Sequence, residues 1–390
     1  MSQRPRPRRG ATLAATALAL LPAVAVAQPR AESGAFVVRL GADTIAAEKF
    51  TRTGNHIEGD LMNASPMVRV AHYVIDLDAQ GRVSKMEWQT RRPDGSPMPG
   101  VPLGVSMTLA NDTAVALMTY ADSTATRRGP APAGAVVSLG NSYYMYELGM
   151  RPLREAKVDS GSFMLTGPGA PKPQPMAVKF AGDVATMDYF GDPMTIKLDR
   201  DGRILSVDGS QTTSKVIVTR VKDLDVKALA ATLAARPQMG QTSPRDTARA
   251  TVGSAQLWVD YGRPSIRKRT VWGGLLVPYG KIWRTGANAA TQFSTSADLV
   301  IGGQPLPAGK YTLWTMPTAQ GYQLVINKQT GQWGTEYDDK QDLVRVPLTV
   351  EKVASPVEQF TIALEPSGPT GGTLALTWDT QKLTVPFTLK

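Results

Sequence analysis

The feature of this sequence that most restricts its fold is a period-two alternation of apolar and polar residues, which recurs from Gly34 onward. Residues 67–78 and 81–90 both show it, and a turn containing Gly and Asp separates them. An antiparallel strand with one buried face has this periodicity. The alternation therefore predicts an antiparallel β-meander in the N-terminal half of the chain.

Two turns with the same pattern support this prediction. At residues 77–83 and 198–204 an Asp precedes a Gly by three positions. The carboxylate can accept hydrogen bonds from nearby backbone amides and the Gly can take a positive φ, so both segments are predicted as hairpin turns. Proline cannot donate to a central strand ladder. We accordingly predict exposed connections at the proline-containing stretches 91–104, 127–134 and 167–175.

The second half of the chain also has strand patterns, interrupted by turn residues. The candidate strands span residues 255–261, 291–296, 310–316, 322–327, 343–350, 359–365, 373–378 and 382–389. Short strands at this spacing are typical of a β-sandwich. The sequence thus predicts an all-β fold. Its parts are an N-terminal antiparallel β domain (28–236) ending in a short helix capped by Asp225, a linker (237–246), and a C-terminal β-sandwich (247–390).

The start of the chain predicts export. Residues 1–27 contain four arginines, then an apolar run, then Ala-Val-Ala before Gln28, which is the order of a secretory signal peptide. No later run approaches the ~18 apolar residues of a spanning helix, so we expect no transmembrane segment and a periplasmic or extracellular location. The chain has no cysteine, which excludes disulfides and thiolate chemistry. Its net charge of +10 is spread thinly outside the signal, and we expect no nucleic-acid partner.

Residues 261–291 hold an unusual concentration of arginines, aromatic residues and glycines. Arg284 and Asn288 lie four apart, so that a guanidinium and an amide can converge on one group of ligand oxygens, with Trp283 as a stacking wall. Tyr261 and Arg263 are expected to flank this site. The alternative is structural: Arg284 would pair with Asp342 or Glu336, and Asn288 would close a turn.

Two further groups of residues are candidates for a ligand or metal site. Trp333, in a Gly-rich turn, is a second candidate for stacking on a ligand. His56 and His72 are the only histidines, and exposed strand histidines are the more ordinary interpretation, so we expect no metal site and no cofactor.

Several ordered motifs in the second half resemble a known family. They are SPRDT at Ser243, DYGRPSIRKR at Asp260, LVPYGKIWRTGANAAT at Leu276, LPAGKYTLWTMP at Leu306 and DLVRV at Asp342. Together they resemble the bacterial family catalogued as domain of unknown function 2911, over about residues 243–390. The resemblance implies an exported, mostly β domain and supplies no reaction. The residues it marks here are Tyr261, Arg263, Pro264, Ser265, Pro278, Tyr279, Gly280, Trp283, Arg284, Gly286, Asn288 and Trp333.

Three functional hypotheses remain open from the sequence. In the favoured one, an arginine and aromatic pocket of the C-terminal domain binds a polar or anionic small molecule or a glycan. The second is a hydrolase of cell-wall or polysaccharide material that uses carboxylates from Asp260, Glu336 or Asp342. The third is a structural envelope module whose proline-containing loops contact other proteins, with partners that the sequence does not identify. Whether the protein is an enzyme stays open.

Overall fold

The structure is a computed structural model, and it describes residue 1 and residues 31–189 and 191–390. Apart from Met1, the predicted signal peptide lies outside the described residues. Strands make up 56% of the chain and helices 7%, which confirms the predicted all-β class. No helix in the described ranges is long and apolar enough to cross a bilayer.

The N-terminal half forms one large sheet that comprises fifteen strands among the described residues. The strands are β1 (Glu32–Leu40), β2 (Asp43–Thr53), β3 (His56–Asn63), β4 (Arg69–Leu77), β5 (Val83–Arg91), β6 (Gly104–Ala110), β7 (Thr113–Thr119), β8 (Thr124–Pro130), β9 (Val136–Val137), β10 (Ser160–Thr166), β11 (Gln174–Ala181), β12 (Val184–Tyr189), β13 (Asp192–Leu198), β14 (Ile204–Asp208) and β15 (Val216–Val221). Their order is β8-β7-β6-β5-β4-β3-β2-β1-β15-β14-β13-β12-β11-β10-β9. Neighbouring strands are antiparallel except β9 and β10, which confirms the predicted meander.

Both predicted hairpin turns form. Gly81 and Gly202 have φ values of 76° and 79°. The Asp78 carboxylate accepts hydrogen bonds from the amides of Gln80 and Arg82. Asp199 accepts the equivalent bonds in the second turn. The proline-containing stretches differ in part from the prediction, because 127–130 lie in the edge strand β8 and 174–175 begin β11. An edge position tolerates Pro130, whose missing amide donor is not needed there.

A helix that the sequence pattern does not indicate, α1 (Tyr144–Glu155), packs its buried side chains into the core of this sheet. Its N-cap residue Tyr143 makes no side-chain capping bond. The cap comes from β2, where the Glu48 carboxylate accepts hydrogen bonds from the amides of Tyr143 (2.9 Å) and Tyr144 (3.1 Å). Such a tertiary cap leaves no local signal. The predicted second helix is present as α2 (Val226–Ala234), with Asp225 accepting from the amide of Ala228 at 2.9 Å.

The C-terminal half forms a separate sheet of nine strands within the described ranges. They are β16 (Arg245–Val252), β17 (Ala255–Gly262), β18 (Thr291–Thr295), β19 (Leu299–Ile301), β20 (Gln304–Leu306), β21 (Gly309–Thr318), β22 (Gly321–Asn327), β23 (Asp342–Pro366) and β24 (Gly371–Leu389), in the order β16-β17-β18-β21-β22-β23-β24-β19-β20. A short 3-10 helix, Asp339–Gln341, precedes β23. Four predicted strands are merged here into the two long strands β23 and β24, whose pairing contains register shifts near Val357.

The C-terminal sheet folds over on itself around an apolar core. The second half of β23 lies against the end of β17, where Tyr261 and Phe360 have ring centroids 5.8 Å apart. The Tyr261 hydroxyl accepts a hydrogen bond from the amide of Ile362 at 3.0 Å. Alternating side chains of β17, β21 and β24 are buried: Leu257, Val259, Tyr261, Tyr311, Leu313, Thr315, Leu383, Val385 and Phe387. Trp314 of β21 is buried too, in a small separate cluster with Ala290 and Val325.

The segment between α2 and β16 packs back onto the N-terminal sheet. The Ser65 hydroxyl donates to the carbonyl of Gly240 at 2.9 Å, and the amide of Val68 donates to the Gln238 side chain at 3.0 Å. Arg267 of the C-terminal half forms an ion pair with Asp43 of β2 at 3.1 Å. These contacts hold the two sheets beside each other and leave a cleft between them. The domain boundaries given above stay a prediction.

Candidate functional site

The arginine- and glycine-rich loop between β17 and β18 is fixed on the C-terminal sheet. Trp283 and Thr315 of β21 exchange backbone hydrogen bonds of 2.8 Å in both directions. The hydroxyls of Thr285 and Thr315 lie 2.8 Å apart, and the Thr291 hydroxyl donates to the carbonyl of Thr285 at 2.7 Å. Thr285 and Asn288 have left-handed φ values of 50° and 64°. The loop is therefore rigidly held where it presents Arg284.

A close backbone approach holds the Arg284 side chain from the other side. A Cβ atom on Gly334 would lie 2.0 Å from Cδ of Arg284 and 2.4 Å from the carbonyl oxygen of Asn288. The amide of Gly334 donates to that carbonyl at 3.0 Å. Only a residue without a side chain fits between these groups. Gly334 thus sets the path of the Arg284 side chain.

The Arg284 guanidinium donates few hydrogen bonds within the protein. Nη1 donates to the carbonyl of Gly334 at 3.4 Å, while Nε is buried without a partner. No other hydrogen bond or ion pair reaches this group in the part of the chain that the structure describes. Burial lowers its pKa, and Asp192 partly opposes that shift. Since a guanidinium carries five donors, most of them remain available to a ligand.

The ion pair that the structural alternative assigns to Arg284 is not present among the described residues, because both carboxylates that it names bind other groups. Asp342 accepts hydrogen bonds from Asn327 at 2.8 Å and from the Tyr337 hydroxyl at 2.7 Å. It also forms an ion pair with Arg345. Glu336 accepts from the amide of Trp333 at 3.2 Å, within its own turn. Neither carboxylate neutralises Arg284.

Two cavities meet at Arg284, between the N-terminal sheet and the C-terminal loop. The first has a volume of about 260 Å³ and the second about 360 Å³. Residues that line both are Thr213, Lys215, Leu276, Trp283 and Arg284. Residues 211–215 belong to the turn between β14 and β15, so both halves of the chain build the walls. We refer to the two cavities together as the interdomain cleft.

Lys215 brings a second cation to the same place. It has a left-handed φ of 55°, and no hydrogen bond or ion pair to its ammonium group exists among the described residues. Burial lowers the pKa of Lys215 to about 8; the positive charge of Arg284 adds to this shift, and Asp192 opposes it. Burial raises the pKa of Asp192, against the effect of Lys215, Arg284 and Lys281. In the described lining, Asp192 is the only carboxylate of the cleft.

Uncharged polar side chains line the first cavity around these cations. Thr213, Thr242, Ser243 and Asn288 all belong to this wall. None of the four side chains has a hydrogen-bond partner within the described ranges. Each can therefore exchange hydrogen bonds with a guest, because hydroxyl and amide groups both donate and accept.

With this geometry established, the chain can be compared with known proteins. Residues 243–387 match the family described as "Protein of unknown function (DUF2911)". We refer to residues 243–387, which match this family, as the DUF2911 region. This match confirms the resemblance seen in the sequence motifs, and the N-terminal half has no family match. No curated protein matches the chain.

One solved structure found by comparison comes from work on botulinum neurotoxin type C and its interaction with two ganglioside molecules. It shares 9% identity, and the alignment covers 93% of this chain and 89% of that one with a TM-score of 0.16. A TM-score this low carries no argument about fold or function.

Of the six predicted ligand contacts, the structure brings Arg284, Asn288 and Trp283 of the DUF2911 region to the cleft. Trp283 is buried and stacks on Trp378 with ring centroids 5.8 Å apart and an interplanar angle of 18°. Its indole nitrogen donates to the carbonyl of Gly286 at 3.1 Å. Trp283 thus forms a fixed wall of the cleft instead of an exposed stacking platform.

The other three predicted contacts lie outside the described lining of the cleft. Tyr261 is buried in the core of the DUF2911 region, with its hydroxyl bonded to Ile362. Arg263 forms an ion pair with Asp246 at 3.0 Å and donates to the Thr361 hydroxyl at 2.9 Å. Trp333 is exposed on the surface. Sequence spacing alone could not show that these side chains point away from Arg284.

The remaining candidates for chemistry are dispersed. Asp260 pairs with Arg245 at 3.0 Å, on the edge of the C-terminal sheet. His56 and Asp76 lie 2.8 Å apart, and His72 and Asp60 3.0 Å apart, on the N-terminal sheet. No cluster of three or more metal-ligating side chains occurs in the ranges that the structure describes.

The functional residues that the sequence analysis missed are Lys215, Asp192 and Thr213. Asp192 begins strand β13, and Thr213 and Lys215 lie in the turn between β14 and β15, at least 69 positions before Arg284. A lone lysine after a Thr-Thr-Ser turn has no local pattern that marks a site. Only the packing of the two sheets brings it to the arginine.

Proposed function

We propose that this chain is an exported binding protein that holds a small anionic molecule in the interdomain cleft. The observation that carries the proposal is Arg284, whose Nε is buried without a partner among the described residues, beside Lys215, whose ammonium group has no hydrogen bond or ion pair in the same ranges. A buried charge without a partner lowers stability unless something neutralises it. An anionic ligand at this point would supply the missing acceptors.

The charge and shape of the cleft favour an anion over a neutral guest. Arg284, Lys215 and Lys281 line it, against Asp192 alone among the described residues. A guanidinium binds carboxylate or phosphoryl oxygens through paired hydrogen bonds, which adds direction to the charge attraction. The two cavity volumes are near the lower end of the range for ligand pockets, roughly 300–1,000 Å³. A small molecule suits this space.

Both halves of the chain would take part in binding. The DUF2911 region contributes Arg284, Asn288 and Trp283, and the N-terminal sheet contributes Thr213 and Lys215. A ligand that contacts both would therefore stabilise their packing, since binding to the folded state alone shifts the unfolding equilibrium. Export is part of the proposal because residues 1–27 have the pattern of a signal peptide.

Calorimetric titration of the chain without residues 1–27 tests the proposal. The probes are citrate, inorganic phosphate and a hexose 6-phosphate at neutral pH. At least one anion should bind, and Arg284→Gln should weaken it by about 10- to 100-fold, because a hydrogen bond to a charged group contributes roughly 1.5–3 kcal/mol.

Arg263→Gln is the matched control, since this arginine is occupied by Asp246 and Thr361 away from the cleft. It should leave anion affinity unchanged. The proposal fails if none of these anions binds, or if Arg284→Gln and Arg263→Gln lower the affinity equally.

A further inference from the structure

Two cations of the cleft that have no ion-pair partner among the described residues come from opposite sheets and line the junction of the two cavities. Arg284 and Lys215 line both cavities, and the positive charge of Arg284 lowers the pKa of Lys215. A carboxylate offers one negative charge and two oxygens. A phosphoryl group offers a charge of about −1.5 to −2 and three strong acceptor oxygens at neutral pH. The donors of a guanidinium and an ammonium together fit the second group better than the first.

The first cavity continues from this junction with uncharged polar groups and with Arg269, which already donates to the carbonyls of Ile266 and Ser265. Thr213, Thr242, Ser243 and Asn288 line it, and no carboxylate does so among the described residues. Hydroxyl and amide groups in this number suit a guest that has hydroxyls of its own, because each side chain can donate and accept. Leu276 and Trp378 add apolar wall on which the carbon skeleton of such a guest can lie.

The second cavity offers less to a second anionic group than its cations suggest, because its additional cation Lys281 shares it with the Asp192 carboxylate. The Tyr337 hydroxyl, which also lines this cavity, already donates to Asp342 at 2.7 Å. A ligand with charge at both ends would place one of them near the Asp192 carboxylate. A ligand with one strongly charged end and a neutral, hydroxyl-bearing body avoids this repulsion.

We propose, as an extension that rests on the proposed function, that the ligand is a phosphorylated polyol such as a sugar phosphate. Its phosphoryl group lies between Arg284 and Lys215, and its hydroxyl-bearing body occupies the first cavity. Lys215 is therefore a specificity-determining residue from outside the DUF2911 region. Thr242 binds the body of the ligand and makes no contact with the phosphoryl group.

Four probes in the same titration distinguish the contributions of the phosphoryl group and of the hydroxyl-bearing body to affinity. They are a hexose 6-phosphate, the same hexose without phosphate, the corresponding hexuronate, and inorganic phosphate. The hexose phosphate should bind at least ten-fold more tightly than each of the other three. The comparison needs only the unmodified chain, so it does not depend on whether a variant folds.

Two substitutions then test the assigned positions. Lys215→Gln should weaken the hexose phosphate and inorganic phosphate by ten-fold or more, whereas Lys197→Gln, on an exposed position of β13, should change neither. Thr242→Val should weaken the hexose phosphate several-fold and leave inorganic phosphate unchanged. If the first cavity holds the polyol body, Thr242→Val must lower the affinity for the hexose phosphate and not the affinity for inorganic phosphate.

The outcomes separate this inference from the function on which it rests. Hexuronate that binds as tightly as the hexose phosphate, and depends on Arg284, overturns the phosphoryl assignment while anion binding stands. Inorganic phosphate that binds as tightly as the hexose phosphate, with no effect of Thr242→Val, overturns the polyol part. If no probe shows Arg284-dependent binding, both the inference and the proposed function are wrong.

Discussion

Two charged groups in this molecule, the buried Glu48 and the half-buried Arg284, differ in how far the fold satisfies their hydrogen bonds. Glu48 lies in the core of the N-terminal sheet and accepts hydrogen bonds from the Tyr73 hydroxyl, the Ser142 hydroxyl and two amides at the start of α1. Burial raises its pKa, and these bonds oppose the shift. Arg284, by contrast, has one long hydrogen bond and a buried Nε without a partner.

We infer from this difference that Glu48 belongs to the scaffold and that Arg284 is available to a ligand. A charge that the fold uses for its own stability has its bonding capacity filled from within. One that is left incomplete in a cavity lined by both halves of the chain is a candidate for binding. Substitution should therefore affect stability at Glu48 and ligand affinity at Arg284.

The largest expected effect is the loss of stability in Glu48→Ala. The substitution leaves two buried amides and a buried tyrosine hydroxyl without acceptors, and each such group costs roughly 1–3 kcal/mol. We expect the free energy of unfolding to fall by about 3 kcal/mol or more, measured by chemical denaturation and by the melting temperature. The exposed Glu87→Ala on β5 is the control and should change stability by less than about 1 kcal/mol. A Glu48→Ala protein as stable as the control would refute the scaffold role.

A smaller effect is expected where the backbone fixes the Arg284 side chain. In Gly334→Ala the new Cβ would lie 2.0 Å from Cδ of Arg284, so the arginine has to move. Overpacking of this kind costs about 1–3 kcal/mol, and the displaced guanidinium should lose about ten-fold in anion affinity. The control Gly167→Ala has open space around the added methyl group and should alter neither quantity. Unchanged affinity in Gly334→Ala would show that the observed path of Arg284 is not needed for binding.

The pH dependence should show opposite trends in stability and in binding. The folded-state pKa of Lys215, about 8, is below its ordinary value of 10.5. The unfolded chain therefore binds this proton more strongly between those values, and the contribution of Lys215 to stability rises as pH rises from about 8 to 10.5. Phosphate affinity falls over the same rise, because Lys215 loses its charge among Arg284, Lys281, Arg269 and Asp192.

Phosphate affinity should also rise with pH through about 6, where the second ionisation of a phosphoryl group occurs. Titrations across this range should consequently give a bell-shaped profile whose alkaline decline disappears in Lys215→Gln. An alkaline decline that persists in Lys215→Gln would assign it to another group.

The smallest expected effect concerns the carboxylate that partly offsets the two cations. Asp192→Asn removes a negative charge near Arg284 and Lys215 without much change in shape. We expect inorganic phosphate to bind a few-fold more tightly, because a bound phosphoryl group is no longer repelled. The gain should shrink at high ionic strength, which screens partly exposed charges. Weaker binding of phosphate by Asp192→Asn would instead make Asp192 a ligand contact.

Much of the fold follows from short-range pattern. The alternation of apolar residues predicts the meander, the Asp and Gly turns predict two hairpins, and the Asp225 cap predicts α2. The helix α1 could not be predicted from local sequence, because its cap, Glu48, lies 95 and 96 positions from the amides that it binds. The strand β16 was missed because its exposed edge position removes the apolar alternation from its sequence.

Only part of the candidate site could be predicted from the sequence. The density of arginine and glycine around Arg284 is visible in the sequence, and so is the proximity of Asn288. No local sequence pattern shows that Tyr261 is hydrogen-bonded in the core or that Arg263 is ion-paired away from the cleft. Nor does any local pattern show that Lys215 of the other sheet lies beside Arg284. Those facts depend on how the halves of the chain pack, and sequence spacing does not contain them.

The most direct test of this account is the anion-dependent change in melting temperature of the chain and of Arg284→Gln, measured side by side. A ligand at 100 times its dissociation constant stabilises a folded protein by about 2.7 kcal/mol. The account predicts that a hexose phosphate at this concentration raises the melting temperature of the unmodified chain, and that the rise in Arg284→Gln is about half as large or smaller, because a ligand bound 10- to 100-fold more weakly contributes about 0.4–1.4 kcal/mol. It also predicts that Arg284→Gln without ligand melts no lower than the unmodified chain. An equal rise in both, or an Arg284→Gln protein that unfolds well below the unmodified chain, would contradict it.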